Sequence, residues 1–142
     1  MQKRIKAVLD TNILISALIG SKTCQKIRDD FVSGLFDVFI SEDILGEFLD
    51  ITRNPHFNTL FNEENIRETA DMLTTIALPV VPQEKVSVCR DSEDNMVLEC
   101  ALAGHADFIV TRDKDLLVVR TFKNMRILTP QKFIKKTRSL RA

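Results

Sequence analysis

IKAVLDTNILI, residues 5–15, places a single aspartate, Asp10, between two apolar runs. The first run predicts a short buried strand over Ile5–Leu9. The second run opens a segment, Thr11–Ile19, that is apolar nearly all round, which is typical of a buried helix. An acidic residue between a strand and a helix stands at the edge of a sheet, where open α/β sheets place their active sites.

The same alternation of short apolar runs and helical segments continues along the chain. Further strands are predicted at Phe36–Ile40, Leu78–Val81, Phe108–Thr111 and Arg126–Thr129. Further helices are predicted at Lys22–Ser33, from a cap at Ser41 as far as Thr52, at Glu63–Ile76, at Asp91–Gly104 and, as a short helix, from Pro130. Strands alternating with helices predict a parallel sheet covered on both faces, in one domain over residues 1–142.

The composition is that of a globular domain, since 44% of the 142 residues are hydrophobic and 28% are charged. No run of about 18 apolar residues is present, so no membrane span is expected. Residues 1–111 carry 10 Lys/Arg against 18 Asp/Glu, whereas residues 112–142 carry 10 against 2. A basic end beside an acidic body suggests a polyanionic partner, with a solvated tail as the alternative that charge alone leaves open.

The three cysteines, Cys24, Cys89 and Cys100, are an odd number and lack the spacing of metal ligands. We expect them to be reduced residues in or near the core. The first residues are basic, but Asp10 interrupts the apolar run that follows them, so no secretory signal is expected. The predicted compartment is the cytoplasm.

Four more acidic residues occupy positions like that of Asp10, at the ends of strands or near the starts of helices. They are Asp91, Asp94, Asp113 and Asp115. In a parallel sheet these positions gather at one edge. Carboxylates crowded together repel one another unless a cation lies among them. The pattern therefore predicts a divalent metal site.

Two of these acids are predicted to face the core. Asp94 lies three and four residues before Val97 and Leu98, which places it at the head of the apolar stripe of its helix. Asp10 stands in the same relation to the stripe of the first helix. A solvated acid would lie on the opposite side, and the helix dipole favours an anion at either place.

Helix capping is the alternative explanation for each acid taken alone. Asp10 could be an N-cap, and Asp91 with Asp94 imitates a capping box with an atypical second residue. Residues 113–115 could form an acidic turn. The functional interpretation depends on the coincidence of all the positions.

A further carboxylate is expected from the helix that Ser41 caps. Glu42 and Glu47 both flank its apolar face, but Glu42 has a role as an acid in the first turn and Glu47 has none, so the geometry favours Glu47. Ligands that offer only oxygen suit Mg²⁺ or Mn²⁺. Such an ion can lower the pKa of a bound water, orient it toward a phosphodiester and stabilise the leaving oxygen.

Five segments in a fixed order resemble one family. They are VLDTN (8–12), SEDILGEFL (41–49), DSEDN (91–95), DFIVTRDKDLL (107–117) and ILTPQKF (127–133). Together they resemble the PIN-domain nucleases, in particular the toxins of bacterial and archaeal toxin–antitoxin pairs. The resemblance covers essentially the whole chain.

The resemblance implies an α/β fold of three layers, α/β/α, with a central parallel sheet of about five strands. It implies metal-dependent hydrolysis of single-stranded RNA, with Mg²⁺ or Mn²⁺ as the cofactor. The catalytic and metal-binding carboxylates would be Asp10, Glu47, Asp94 and Asp113, with Asp115 as an auxiliary metal ligand. The residues that would hold carboxylates and water in place are Asn12, Thr111 and Asp91.

The implied partners are single-stranded RNA and a cognate antitoxin protein, and a homodimer stays open. The basic residues expected to contact RNA are Arg112, Lys114, Lys135, Lys136 and Arg138. Arg112 departs from the family, because that position is often occupied by a small residue. It could contact phosphate, or it could crowd the site.

Two other functions compete with an endoribonuclease. The first is a PIN-fold module that binds RNA or protein without catalysis, which metal-dependent RNA cleavage would exclude. The second is a phosphatase or phosphotransferase with Asp10 as the nucleophile, which covalent phosphorylation of Asp10 would support. Enzymes of that kind usually need a second aspartate two residues later, and Asn12 occupies that position.

Overall fold

The computed structural model describes residues 4–141. Residues 1–3 and 142, which the prediction of one domain over 1–142 includes, lie outside the described residues. The strands are β1 (Lys6–Leu9), β2 (Asp37–Ile40), β3 (Leu78–Pro79), β4 (Phe108–Val110), β5 (Thr121–Phe122) and β6 (Met125–Leu128). The helices are α1 (Thr11–Leu18), α2 (Lys22–Val32), α3 (Glu42–Arg53), α4 (Glu63–Thr75), α5 (Ser92–Gly104), α6 (Lys114–Leu117) and α7 (Pro130–Arg141).

The strands form one sheet in the order β3-β2-β1-β4-β6-β5. Every neighbouring pair is parallel except β5 and β6. β1 is central, with Ala7 opposite Phe108 of β4 on one side and opposite Val38 of β2 on the other. The predicted α/β fold with about five parallel strands is therefore confirmed, and β5 is a sixth strand that the sequence analysis did not predict.

Several short elements and one helix length differ from the predictions. A 3₁₀ helix at Asn58–Leu60 was not predicted, and β3 has two residues where a strand over Leu78–Val81 was expected. β5 pairs with β6 through a tight turn in which Lys123 and Asn124 have φ of 49° and 70°. Such turns usually contain glycine, and this one gives no glycine signal. α6 has only four residues, too few for a helical pattern in the sequence. The helix that begins at Pro130 has 12 residues, and the sequence analysis was wrong to predict a short one.

Aromatic packing joins α2 and α7 to one face of the sheet. The ring of Phe36 stacks on Phe31 of α2 with centroids 6.1 Å apart, and meets Phe133 of α7 edge-on at 5.0 Å. Phe133 also contacts Phe108 of β4 at 5.9 Å. Buried aromatic rings contribute strongly to core stability. This cluster anchors α7 to the sheet, so the basic end of the chain is a packed helix.

α5 packs closely against β1, β2 and β4. Its last residue, Gly104, lies so near β2 that an added Cβ would overlap the ring of Phe39. Glycine therefore permits the close approach of helix and sheet. The other end of α5, capped by Asp91, faces the carboxyl ends of the strands.

The cysteine prediction is confirmed, because all three cysteines are free, with Cys24 and Cys100 buried and Cys89 half-buried. Within residues 4–141, no helix combines the length and the apolar character needed to cross a bilayer.

Candidate active site

A cleft of about 290 Å³ lies beyond the carboxyl ends of β1 and β4. Its lining comes from β1–α1, α3, α5 and the end of β4, and consists of Asp10, Asn12, Ile15, Ser16, Glu47, Ile51, Asp91, Glu93, Asp94 and Asp113. The four carboxylates that the sequence analysis selected as catalytic all belong to this lining. Asp115 is not part of the lining, but its carboxylate lies beside those of Asp94 and Asp113.

Asp10 is held by side chains from two strand ends. It is 6% exposed and occupies the N-cap position of α1, yet its side chain makes no capping hydrogen bond. Its Oδ2 instead accepts a hydrogen bond from Thr111 Oγ1 at 2.6 Å and another from Asn12 Nδ2 at 3.0 Å. Burial raises the pKa of Asp10, the Thr111 hydroxyl opposes this shift, and the charge of Asp113 adds to it. Asp10 is therefore the N-cap residue of α1, as the alternative proposed, but its carboxylate is held by Thr111 and Asn12 instead of making a capping hydrogen bond.

The Thr111 hydroxyl connects the two strand ends. While it donates to Asp10, it accepts a hydrogen bond from the backbone N–H of Asp113 at 2.9 Å. Asn12 completes the connection, because its Oδ1 accepts from the backbone N–H of Arg112 at 3.4 Å. These contacts fix the position of Asp10 relative to Asp113.

Asp94 carries a buried oxygen without a partner. The residue is only 5% exposed, yet its buried Oδ2 has no hydrogen-bond partner. Asp94, Asp113 and Asp115 each place one carboxylate oxygen within 4.8 Å of the others. Burial, followed by the charge of Asp113 and a hydrogen bond with it, raises the pKa of Asp94 to about 7. A buried oxygen left without a partner is costly, and a cation in this group would remove that cost.

Two of the acids cap helices while they also line the cleft. Asp91 accepts a hydrogen bond from the backbone N–H of Glu93 at 2.9 Å, and so caps α5. Asp113 accepts from the backbone N–H of Asp115 at 2.8 Å, and so caps α6. The capping alternative is correct for Asp91, whereas Asp113 caps a short helix where the alternative was an acidic turn. The oxygen of Asp94 that has no partner takes no part in a capping box.

Glu47 approaches the cleft from α3 and meets an acid that the sequence analysis missed. Burial raises the pKa of Glu47 to about 7, a hydrogen bond with Thr11 opposes this, and the charges of Glu93 and Asp10 add to it. Glu93 is an exposed residue in the first turn of α5, where an acid has a sufficient role in the helix dipole, so its sequence position gave no distinct signal. Glu42 lines a neighbouring depression with Glu47 and lies outside the cleft lining.

None of the basic residues predicted to contact RNA belongs to the cleft lining. The guanidinium of Arg112 donates to Ser16 Oγ at 3.3 Å and to Ser21 Oγ at 3.1 Å, so it lies along α1 and is not part of the cleft lining. Lys114 is exposed on α6. α7 contacts β4, β6 and α2. At about 1.5 Å per residue, Lys135, Lys136 and Arg138 lie roughly 8–12 Å along α7 from Pro130.

One arginine near the acids was also missed. Arg90 Nη2 donates to Asp115 Oδ1 at 3.3 Å and to Oδ2 at 3.2 Å. The sequence offers no signal for this contact, because Arg90 lies in a connecting segment, Asp115 lies in α6, and the two meet only through the fold.

A larger groove of about 680 Å³ lies between α2 and α4. Its charged lining has mixed signs, with Arg28 beside Asp29 at 3.7 Å and with Glu68 and Asp71 on α4. Among the described residues, the acids that could share a metal ion are Asp94 and Asp113 of the smaller cleft and Asp115 beside it. The acidic cleft is therefore the better candidate for chemistry.

The raised pKa values predict how pH affects the cation-free protein. The folded state retains protons on Glu47 and Asp94 up to about pH 7, whereas the ordinary values are 4.5 and 3.8. The folded state therefore binds more protons in this window, and stability should fall as pH rises from about 4 to about 7 and then level off. Thermal melts in EDTA across this range measure the effect. Asp94→Asn, which cannot titrate at this site, should show a shallower fall, and a melting temperature that rises toward neutral pH would contradict the prediction.

The fold and the cleft define an α/β protein whose acidic site lies at the carboxyl ends of two central parallel strands. The family model described as "PIN domain" matches residues 6–115, and the chain belongs to the PIN domain family. The family resemblance stated from the sequence is thereby confirmed.

The chain is also similar to individual proteins and solved structures. The chain is 30% identical over 141 residues to the "Uncharacterized protein MJ1680" of Methanocaldococcus jannaschii, which covers 92% of this chain and 90% of the relative. It is also similar to a chain in the structure of VapBC2 from Rickettsia felis bound to a DNA fragment from their promoter, with a TM-score of 0.57, 14% identity, and coverage of 88% and 98%. A chain in the structure of FitAcB from Neisseria gonorrhoeae matches with a TM-score of 0.51, 15% identity, and coverage of 88% and 98%. At these identities the two structures establish the fold.

Proposed function

We propose that this PIN protein is an endoribonuclease that depends on Mg²⁺ or Mn²⁺ and hydrolyses phosphodiester bonds of single-stranded RNA. Two observations on Asp94 carry the proposal. Its buried Oδ2 has no hydrogen-bond partner, and its carboxylate belongs to a group of three in which one oxygen from each residue lies within 4.8 Å of the others. Such a group is costly without a cation and well suited to hold one.

The donor set fits a hard divalent cation. Asp94, Asp113 and Asp115 would hold it, and Asp10 and Glu47 line the same cleft at its other sides. All of these donors are carboxylate oxygens, which Mg²⁺ and Mn²⁺ prefer. When bound, the cation supplies positive charge that lowers the pKa of water and stabilises the developing charge on the phosphate and the leaving oxygen.

The side chains around the acids would keep the arrangement rigid. Thr111 and Asn12 hold Asp10 through hydrogen bonds of 2.6 Å and 3.0 Å, and Asp91 holds the start of α5, which carries Asp94. The described lining of the cleft contains carboxylates and no imidazole. We therefore assign the attack to water, since no histidine lies in the cleft to take a proton from the RNA 2′-hydroxyl.

The basic residues would contact the RNA backbone outside the acidic cleft. Arg112 and Lys114 lie on either side of Asp113 in the chain, and Arg112 donates to Ser16 of the cleft lining, so these two residues would hold a phosphate next to the scissile bond. The residues of α7, Lys135, Lys136 and Arg138, would hold phosphates farther along the strand.

We also propose that the protein is the toxin of a toxin–antitoxin pair, acts in the cytoplasm and is neutralised by a partner protein. The support is the resemblance of the five sequence segments, together with the similarity to chains of the VapBC2 and FitAcB structures. A homodimer is a further expectation of this assignment, and size determination in solution with and without the partner would test both.

Analysis of the RNA ends tests the reaction. The purified protein should cut single-stranded RNA in Mn²⁺ or Mg²⁺ and leave 5′-phosphate and 3′-hydroxyl ends, because water attacks and the 3′-oxygen leaves. EDTA should stop the cleavage. A strand with methylated 2′-hydroxyls at the cleavage site should still be cut if it binds equally well. Cyclic 2′,3′-phosphate ends, or cleavage in EDTA, would refute the mechanism.

A further inference from the structure

Arg90 holds a fixed backbone position beside the acidic cleft. It immediately precedes Asp91, the N-cap of α5. The residue before it, Cys89, is clamped by the side chain of Asn95, which accepts from the Cys89 backbone N–H at 2.8 Å and donates to its carbonyl at 2.9 Å. Asn95 is 8% exposed, so the clamp is buried. The backbone of Arg90 is therefore anchored at the mouth of the cleft.

The side chain of Arg90 is held much less firmly than its backbone. It is 89% exposed, and one nitrogen, Nη2, is shared between the two oxygens of Asp115 at 3.2 Å and 3.3 Å. Among the described contacts, the guanidinium has no other hydrogen-bond partner. Exposed ion pairs of this kind stabilise little, so the side chain can be released at small cost.

The carboxylate of Asp115 can interact either with Arg90 or with a cation. Its carboxylate belongs, with Asp94 and Asp113, to the group of oxygens within 4.8 Å of one another. A cation held by this group and the guanidinium of Arg90 compete for the same carboxylate. By linkage, whatever weakens one of these interactions strengthens the other.

We infer that Arg90 is a phosphate-positioning residue that a cation releases from Asp115. This inference rests on the proposed function. With the carboxylate group occupied, the guanidinium is free to hold a phosphate of the RNA strand in the fork geometry that arginine offers. Arg112 donates to Ser16, which lines the cleft, so it would offer a second guanidinium group to the same strand.

The first test is the affinity for Mn²⁺ alone, measured by calorimetry. Arg90→Gln should bind Mn²⁺ about two- to fivefold more tightly than the unmodified protein, because a competing cation is gone. Arg67→Gln is the matched control, since Arg67 is an exposed arginine on α4 and its loss changes the net charge equally. An Arg90→Gln variant with unchanged or weaker Mn²⁺ binding would overturn the competition.

The second test is the affinity for a labelled single-stranded RNA, measured by fluorescence anisotropy in Ca²⁺ and in EDTA. Ca²⁺ serves as an oxygen-seeking cation, and the RNA is checked for integrity after each measurement. In Ca²⁺, Arg90→Gln should bind about tenfold more weakly, with a salt slope shallower by about 0.7. In EDTA the two proteins should bind equally, and Arg90→Lys should recover part of the affinity in Ca²⁺.

The outcomes separate this inference from the proposed function. If the unmodified protein binds neither Mn²⁺ nor RNA, the proposed function itself fails. If it binds both and Arg90→Gln binds RNA equally well in Ca²⁺, only the role of Arg90 is lost. A loss of RNA affinity that is the same in EDTA and in Ca²⁺ would also overturn the release of Arg90 by the cation.

Discussion

Asp10→Asn and Asp113→Asn should each lower the rate of RNA cleavage by about 10²–10³-fold, the range for removal of one preorganised charged or polar group that acts on the transition state. In both variants the hydrogen bonds can survive, because asparagine Oδ1 still accepts from Thr111 or from the backbone N–H of Asp115. The change therefore removes a negative charge and leaves the local structure in place. Initial rates at saturating Mn²⁺ measure the effect.

Asp71→Asn provides the control for this prediction. Asp71 is an exposed acid on α4, outside the cleft lining, and its substitution changes the net charge by the same amount. It should cleave RNA at the rate of the unmodified protein. If the two cleft variants remain as active as the Asp71 variant, the acidic cleft is not the catalytic site.

Mn²⁺ or Mg²⁺ should raise the melting temperature of the protein by roughly 5–11 °C at about 100 times the dissociation constant, which corresponds to about 2.7 kcal/mol. The cation relieves the repulsion among Asp94, Asp113 and Asp115 and supplies a partner for Asp94 Oδ2. Thermal melts with added cation, and with EDTA, measure the difference.

Asp94→Asn distinguishes relief of repulsion from a general effect of salt. Without cation, this variant should be at least as stable as the unmodified protein, because it lacks one buried charge in the group. It should also lose most of the response to Mn²⁺. A full response in Asp94→Asn would place the cation elsewhere on the protein.

Much of the fold could be predicted because local signals and tertiary packing agree in this chain. Ser41 caps α3 through its hydroxyl, as its position before two acids predicts, and Asp91 caps α5. The buried strands β1 and β4 follow from short runs that are apolar apart from Lys6 at the start of β1. β5 could not be predicted, because two residues paired through a turn without glycine carry no pattern. β5 forms because its backbone pairs with the edge of β6.

The residues of the cleft could be predicted only where the sequence position of a residue determines its place in the fold. Asp10 and Asp113 follow parallel strands that lie side by side, so their meeting follows from the topology. Glu47 was selected by elimination against Glu42, and the structure places it in the cleft lining. Glu93 and Arg90 could not be found in the same way, because the direction of an exposed side chain is decided by tertiary contacts that no local spacing reveals.

The hydrogen bond between Thr111 and Asp10 joins residues 101 positions apart in the chain. Such a contact can form only after the segments between them have been made and folded, which is slow compared with local helix formation. During synthesis, Asp10 after β1 and the acids of α3 and α5 emerge before β4 has arrived to bring them together. A chain still growing toward Asp113 therefore contains most of the acidic side chains but no assembled cleft.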